Sequence, residues 1–223
     1  MSAYLKIAIT AFLLSVIGIN CSKSNPASPP PATLSYVSGA LFQANGNAVV
    51  MVELKIGSST GNVISGATVL INGSSIAESS TPGTYTGIIT GGFSAGATIT
   101  ISANTSIGNV TGSALMPPGD SVTAPANGST IDHTTLFNIT WTGPTTGISA
   151  HYGMVYVSSP LVPTVSFAGS AAVASCLVPS NTLTAGSYFI SAFSVLQMPL
   201  SNADGSSEFI IANSVNTYSI TIN

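Results

Sequence analysis

The sequence predicts an all-β protein, two tandem β-sandwiches carried behind an apolar N-terminal run and a proline-rich stretch. Three observations predict it. Apolar residues alternate with Ser, Thr and Asn at a period of two over short runs, the signature of a strand with one wet face. Gly, Pro and Asn-Gly punctuate those runs roughly every 8–12 residues, as in sandwiches. No amphipathic helical period follows the proline-rich stretch. Composition agrees: 45% of the chain is hydrophobic and only 4% charged, with 22 Gly and 13 Pro. Low charge with ample Val, Ile and Phe is the reverse of a disorder signature, so a surface of Ser, Thr, Asn and Gly must enclose a real core.

The elements follow in order. Met1–Lys6 is a short positive start, and Ile7–Ile19 is an apolar run of about 13 residues. A bilayer span needs roughly 18 or more, whereas this length suits the core of an export signal. Ile17-Gly18-Ile19-Asn20-Cys21 follows, then a polar tail, and no A-x-A site competes with it. This stretch resembles a bacterial lipoprotein signal of the looser spirochaete type. The resemblance implies removal of residues 1–20, acylation of Cys21 (palmitate among the chains), and a lipid anchor in the cell envelope, with the outer membrane or cell surface as its place. One acyl chain holds only marginally, at about 0.8 kcal/mol per buried methylene, but two or three on one cysteine anchor firmly. Residues 21–33 then form the tether. Pro26, Pro29, Pro30 and Pro31 favour polyproline II, a semi-rigid spacer at about 3.1 Å per residue.

The first sandwich is expected over 34–117. Val50, Val52, Leu54 and Ile56 share one face, with Glu53 and Lys55 on the other. Val69 and Ile71 alternate up to Asn72-Gly73, the strongest short hairpin signal. Pro82-Gly83 opens the turn before Tyr85–Thr90; Ile99 and Ile101 mark a further strand, and Val110–Leu115 the last of about seven. Met116-Pro117-Pro118-Gly119-Asp120 is the expected boundary, because proline cannot donate within a central ladder. The second sandwich is expected over 120–223: Phe137, Ile139 and Trp141 share a face, His151–Ser158 and Tyr188–Gln197 are strands, and Tyr218, Ile220 and Ile222 close the chain.

Pro125-Ala-Asn-Gly128, Ile139-Thr-Trp141 and Leu183-Thr-Ala-Gly186-Ser-Tyr188 resemble bacterial immunoglobulin-like and fibronectin type III-like domains. That resemblance implies a core role for Trp141 and a tyrosine corner at Tyr188, its hydroxyl bonding back to backbone near Leu183. Thr81-Pro-Gly-Thr-Tyr85 and Thr184-Ala-Gly-Ser-Tyr188 share a T-x-G-x-Y pattern one module apart, an echo consistent with tandem modules.

Charge and chemistry narrow the function. Once residues 1–20 are gone, Lys23 and Lys55 are the cations left and there is no Arg, against six carboxylates. Nucleic acid is excluded as a partner, because phosphate neutralisation needs clustered cations. Adjacent Asp132 and His133 point to opposite faces of a strand and form no relay. Cys176, in an apolar run, reads as an inert thiol, with pairing to His133 or His151 left to the fold. His133 and His151 lack a C-x-x-C partner for zinc, and the carboxylates are too dispersed for calcium, Asp120 at the boundary being the remaining candidate. Asp204-Gly205 reads as a hairpin turn. The expectation is no catalytic residue, no metal and no cofactor, with Cys21 as the lipidation site. Tyr152, Tyr156 and Phe167 form either strand packing or a sugar-stacking platform. The function expected is a non-catalytic, membrane-anchored envelope lipoprotein whose modules bind a host or envelope protein. A passive spacer or assembly subunit, or an accessory carbohydrate-binding module, is the alternative.

Overall fold

The computed structural model describes residues 33–157, 163–170 and 174–223. The N-terminal run, Cys21, the tether up to residue 32 and the side chain of Phe167 lie outside the described residues. The first segment holds β1 (Ser35–Ala44), β2 (Asn47–Ile56), β3 (Thr68–Ile71), β4 (Ser74–Ile76), β5 (Thr84–Thr90), β6 (Thr98–Thr105) and β7 (Gly108–Leu115). The second holds β8 (Ser121–Ala124), β9 (Ser129–Ile131), β10 (Phe137–Thr142), β11 (Ala150–Tyr156), β12 (Pro163–Ser170), β13 (Ser175–Val178), β14 (Gly186–Met198), β15 (Leu200–Ser201), β16 (Glu208–Asn213) and β17 (Thr217–Ile222). The all-β class and the sandwich layering stand as expected.

Local chemistry explains the turns. Asn72 and Gly73 both have positive φ, 47° and 80°, the geometry a two-residue hairpin needs to match strand twist. Asn72 also ties the hairpin to β6: its Oδ1 accepts from Thr100 N at 2.6 Å and its Nδ2 donates to Thr98 O at 2.9 Å. The tyrosine corner forms too, with Tyr188 Oη donating to Thr184 O at 3.0 Å. Its echo differs. Tyr85 Oη accepts from Ala67 N at 2.8 Å and donates to Ile64 O at 3.4 Å, so it pins the preceding loop across the sandwich and not its own turn.

Three sheets assemble the strands. A nine-stranded sheet runs β12-β11-β14-β16-β1-β2-β5, with β17 and then β9 beside the other half of β14. A five-stranded sheet, β15-β7-β6-β3-β4, covers its first part, and a three-stranded sheet, β13-β10-β8, covers its second. Here the expected division at 117–120 needs revision. It separates two hydrophobic cores but not two sheets. β1 pairs in parallel with β16, Ser38 opposite Glu208 through Gln43 opposite Asn213. The first core, built on Val37, Leu41, Val50, Val52, Leu54, Ile99 and Ile101, is completed by Met198, Phe209 and Ile211 from beyond the boundary. The second core gathers Trp141, Ile139, Val155, Ile190, Ile220 and Ile222.

The reason lies in β14. Its 13 residues are long enough to serve both sandwiches: Gly186–Ser191 pairs with β17, and Ser194–Met198 pairs with β16. Tyr188 and Ile190 enter the second core while Met198 enters the first. Asp204-Gly205 is a turn, but not of a hairpin. It carries the chain from β15, which pairs with β7, to β16 in the large sheet.

Candidate functional site

The boundary stretch is where polar chemistry concentrates. Two prolines and a glycine leave Pro117 and Pro118 with acceptors but no donors, and side chains of the large sheet satisfy them. Asn213 Nδ2 donates to Pro117 O at 2.8 Å, and Ser194 Oγ donates to Pro118 O. Gln43 Nε2 adds a bond to Asn213 Oδ1 at 3.2 Å. Asp120 follows, its carbonyl taking Val215 N at 2.8 Å.

That anchoring drives the Asp120 carboxylate fully into the interior, at 0% exposure. There Oδ2 takes a hydrogen bond from His151 Nδ1 on β11, 2.6 Å away, and Oδ1 is buried with no partner. Gly143 makes room for it, since a Cβ at that position would overlap Oδ1. Trp141 packs beside the pair, its ring 5.9 Å from that of His151, and among the described residues its Nε1 is the other buried side-chain polar atom without a hydrogen-bond partner. Burial pushes the Asp120 carboxyl up to about 6, with the His151 hydrogen bond and charge working against it. A carboxylate that orients an imidazole is half of a catalytic relay, but the relay also needs a substrate within reach of the ring. His151 is 3% exposed, so the pair as it stands holds the boundary stretch against β11.

The remaining candidates are dispersed. Cys176 pairs across from Ile139 and turns its Sγ toward Gly153, where an added Cβ would sit 2.5 Å from the sulfur. Burial raises its thiol to about 12, which keeps it out of the nucleophilic thiolate form. His133 is exposed and binds the chain terminus through Asn223 O, 2.9 Å from Nδ1. Asp132 caps its own turn by accepting from Thr134 N and Oγ1 at 2.8 and 2.7 Å, bonds that hold its carboxyl below the usual range. Among the described residues no three His, Cys, Asp or Glu gather as metal ligands. Tyr152 and Tyr156 are buried at 1% and 3%, with Tyr156 bonded to Ser191 and Thr217. They belong to the packing and not to a sugar-stacking platform.

What the surface does offer is apolar and neutral. β5 ends the large sheet. Thr86 N donates to Ala77 O at 3.0 Å and Ser79 N to Thr84 O at 2.7 Å, so residues 77–79 cover the start of its outer edge. The same period points the N–H and C=O of Ile88 and Thr90 away from β2, and the Ile88 side chain is 63% exposed. Sequence reasoning missed both the Asp120–His151 pair and this edge. Its one usable signal was that Asp120 follows two prolines, a place where a chain is fixed by its neighbours.

No family model matches the chain, and no curated protein matches it. Solved structures similar to it include sets of fibronectin type III-like modules. One set is the Clostridium thermocellum CbhA fibronectin(III)-like modules, at 18% identity over 85% of this chain and 93% of that one, TM-score 0.29. Another is the chicken CNTN1 FN1-FN3 domains, at 13% identity over 88% of this chain and 69% of that one, TM-score 0.32. A third is the Bacteroides ovatus mixed-linkage glucan utilization locus SGBP-B, solved with a mixed-linkage heptasaccharide, at 12% identity over 86% of this chain and 61% of that one, TM-score 0.25. At TM-scores this low none of them bears on the site.

Proposed function

We propose that the chain is a non-catalytic lipoprotein of the bacterial cell envelope, anchored through acylated Cys21, whose shared-sheet sandwiches present neutral surface to a host or envelope protein. The observation that carries the binding half is the exposed end of β5. Backbone groups of Ile88 and Thr90 beside an exposed isoleucine suit strand addition, in which main-chain bonds supply affinity and side chains supply choice. The non-catalytic half of the reading is supported by three candidate groups: His151 is buried, burial raises the Cys176 thiol to about 12, and His133 Nδ1 lies 2.9 Å from Asn223 O. The anchor half rests on the apolar run that ends at Cys21. Labelled palmitate should enter the wild type and not Cys21→Ser, and that variant should leave the membrane fraction. Equal labelling of the two proteins would refute the anchor. A passive spacer would show no partner at β5, and Ile88→Lys would then leave every retained protein in place.

A further inference from the structure

The open part of the β5 edge is short, and its two ends say what fits it. Thr84 O and Thr86 N already bond to Ser79 N and Ala77 O, with Glu78 bridged to Tyr85 between them. Ile88 and Thr90 are the next residues whose backbone groups point outward. β5 ends at Thr90, and the chain then turns away. Gly91 and Gly92 have φ of 86° and 54°. Phe93 is held by the amide of Gln43, its N donating to Oε1 at 2.5 Å and its O accepting from Nε2 at 2.7 Å. Gln43 belongs to β1, which lies inboard of β2 and β5. Among the described residues the window is therefore closed at one end by Ala77 and at the other by a turn.

A strand entering this window has to leave the edge before it reaches Thr86, where Ala77 sits. A second copy of β5 does so when it runs antiparallel with Ile89 opposite Ile89. The copy's Gly91 and Gly92 then fall opposite Gly87 and Thr86, where its own turn lifts it off the edge. The relation is two-fold, so each strand clears the other's residues 77–79. Ile88 faces Thr90 of the copy, and Thr90 faces the copy's Ile88. Each facing pair exchanges both of its backbone bonds, which satisfies the outward groups of both residues in both copies. Ile89, half-buried against the first core, meets its counterpart at a non-hydrogen-bonded site, with Cα atoms about 4.5 Å apart. Ile88, 63% exposed, lies diagonal to the copy's Ile88 at about 7–8 Å, within reach of a long side chain. Charge does not oppose the contact. Residues 79–92 hold no charged side chain, and the lysine or proline that ordinarily blunts an edge is missing from 84–92. Nearby Glu53 and Lys55 pair with each other at 3.0 Å.

We infer that β5 pairs with β5 of a second copy, antiparallel about Ile89, joining two large sheets into one. This rests on the reading of β5 as the binding edge and names the chain itself as its envelope partner. So short an edge associates weakly in free solution, and anchoring both copies in one membrane raises their effective concentration. The test is disulfide trapping in cells that make the full chain. Ile89→Cys sets two sulfurs across the two-fold at a separation a disulfide accepts, whereas Thr86→Cys sets them about six residues, or roughly 20 Å, apart. Mild oxidation of intact envelopes should give at least ten-fold more dimer from Ile89→Cys than from Thr86→Cys or the parent chain, which carries Cys21 and Cys176 as background. Adding Ile88→Lys should abolish that dimer while the circular dichroism of the purified protein stays unchanged. Should Ile89→Cys misfold, Ile88→Cys made together with Thr90→Cys reads the same register. Equal yields at 86 and 89, a dimer that survives Ile88→Lys, or no dimer from folded cysteine variants would overturn the inference. A different protein released by Ile88→Lys, with Ile89→Cys still monomeric, would keep the β5 reading and sink self-pairing. Loss of no protein together with no dimer would sink both.

Discussion

At the scale of single residues, Asp120 occupies a costly position. Its carboxyl is buried with one oxygen unpartnered, and desolvation lifts it to about 6 from an ordinary 3.8. A carboxyl raised on folding holds its proton in the native state where the unfolded chain has already lost it. Between about pH 4 and pH 6 the native protein therefore binds more protons, and stability falls as pH rises through that window. The slope from one proton is at most about 1.4 kcal/mol per pH unit. Asp120→Asn keeps the shape and removes the titration. Urea unfolding at pH 4, 5, 6 and 7 should show wild type losing stability relative to Asp120→Asn across that range. Parallel curves for the two proteins would mean that Asp120 is not desolvated as described. Gly143 shows the same crowding from the other side: Gly143→Ala would press a methyl into Oδ1, an overpacking cost of roughly 1–3 kcal/mol.

At the scale of elements, legibility follows from what a period of two encodes. It says which side of a strand faces the core, and so Val50, Val52 and Leu54, Val69 and Ile71, and Ile99 and Ile101 are buried as the alternation requires. Turn chemistry is equally local, which is why Asn72-Gly73 and the Tyr188 corner are readable in the sequence. Alternation does not say which strand lies alongside. The β1–β16 pair joins residues 170 positions apart. β1 itself, Ser-Tyr-Val-Ser-Gly-Ala-Leu-Phe-Gln-Ala, is buried on both faces and carries little alternation to find. The Asp120–His151 pair was hidden for the same reason, since its partners meet only once β11 and the boundary stretch are placed. These pairings make the boundary testable. A fragment of residues 119–223 leaves β16 without β1, and leaves Phe209 and Ile211 without the first core they complete. It should give a collapsed, poorly dispersed NMR spectrum alone and recover dispersion on mixing with residues 33–118. A well-dispersed spectrum from 119–223 alone would restore two separable sandwiches.

At the scale of the whole molecule, the question is whether two cores on one sheet melt together. The cores share no residue, but they share strands: β14 gives Tyr188, Ile190 and Ala192 to one and Met198 to the other. Loss of the second core frees the first half of β14, and with it β17 and β11, whose ladders hold the remainder in register. Unfolding should therefore be one cooperative transition, with calorimetric and van't Hoff enthalpies equal. Trp141 is the probe. Its ring is 4% exposed in the second core, packed on His151, and Trp141→Ala should cost about 3–5 kcal/mol. In a coupled molecule that loss appears everywhere, so native-state exchange should accelerate at Val50, Val52 and Leu54 of β2 as much as at Ile139 and Ile190. Acceleration confined to the second core, with β2 protected as in wild type, would show that the shared sheet joins the two halves without coupling them.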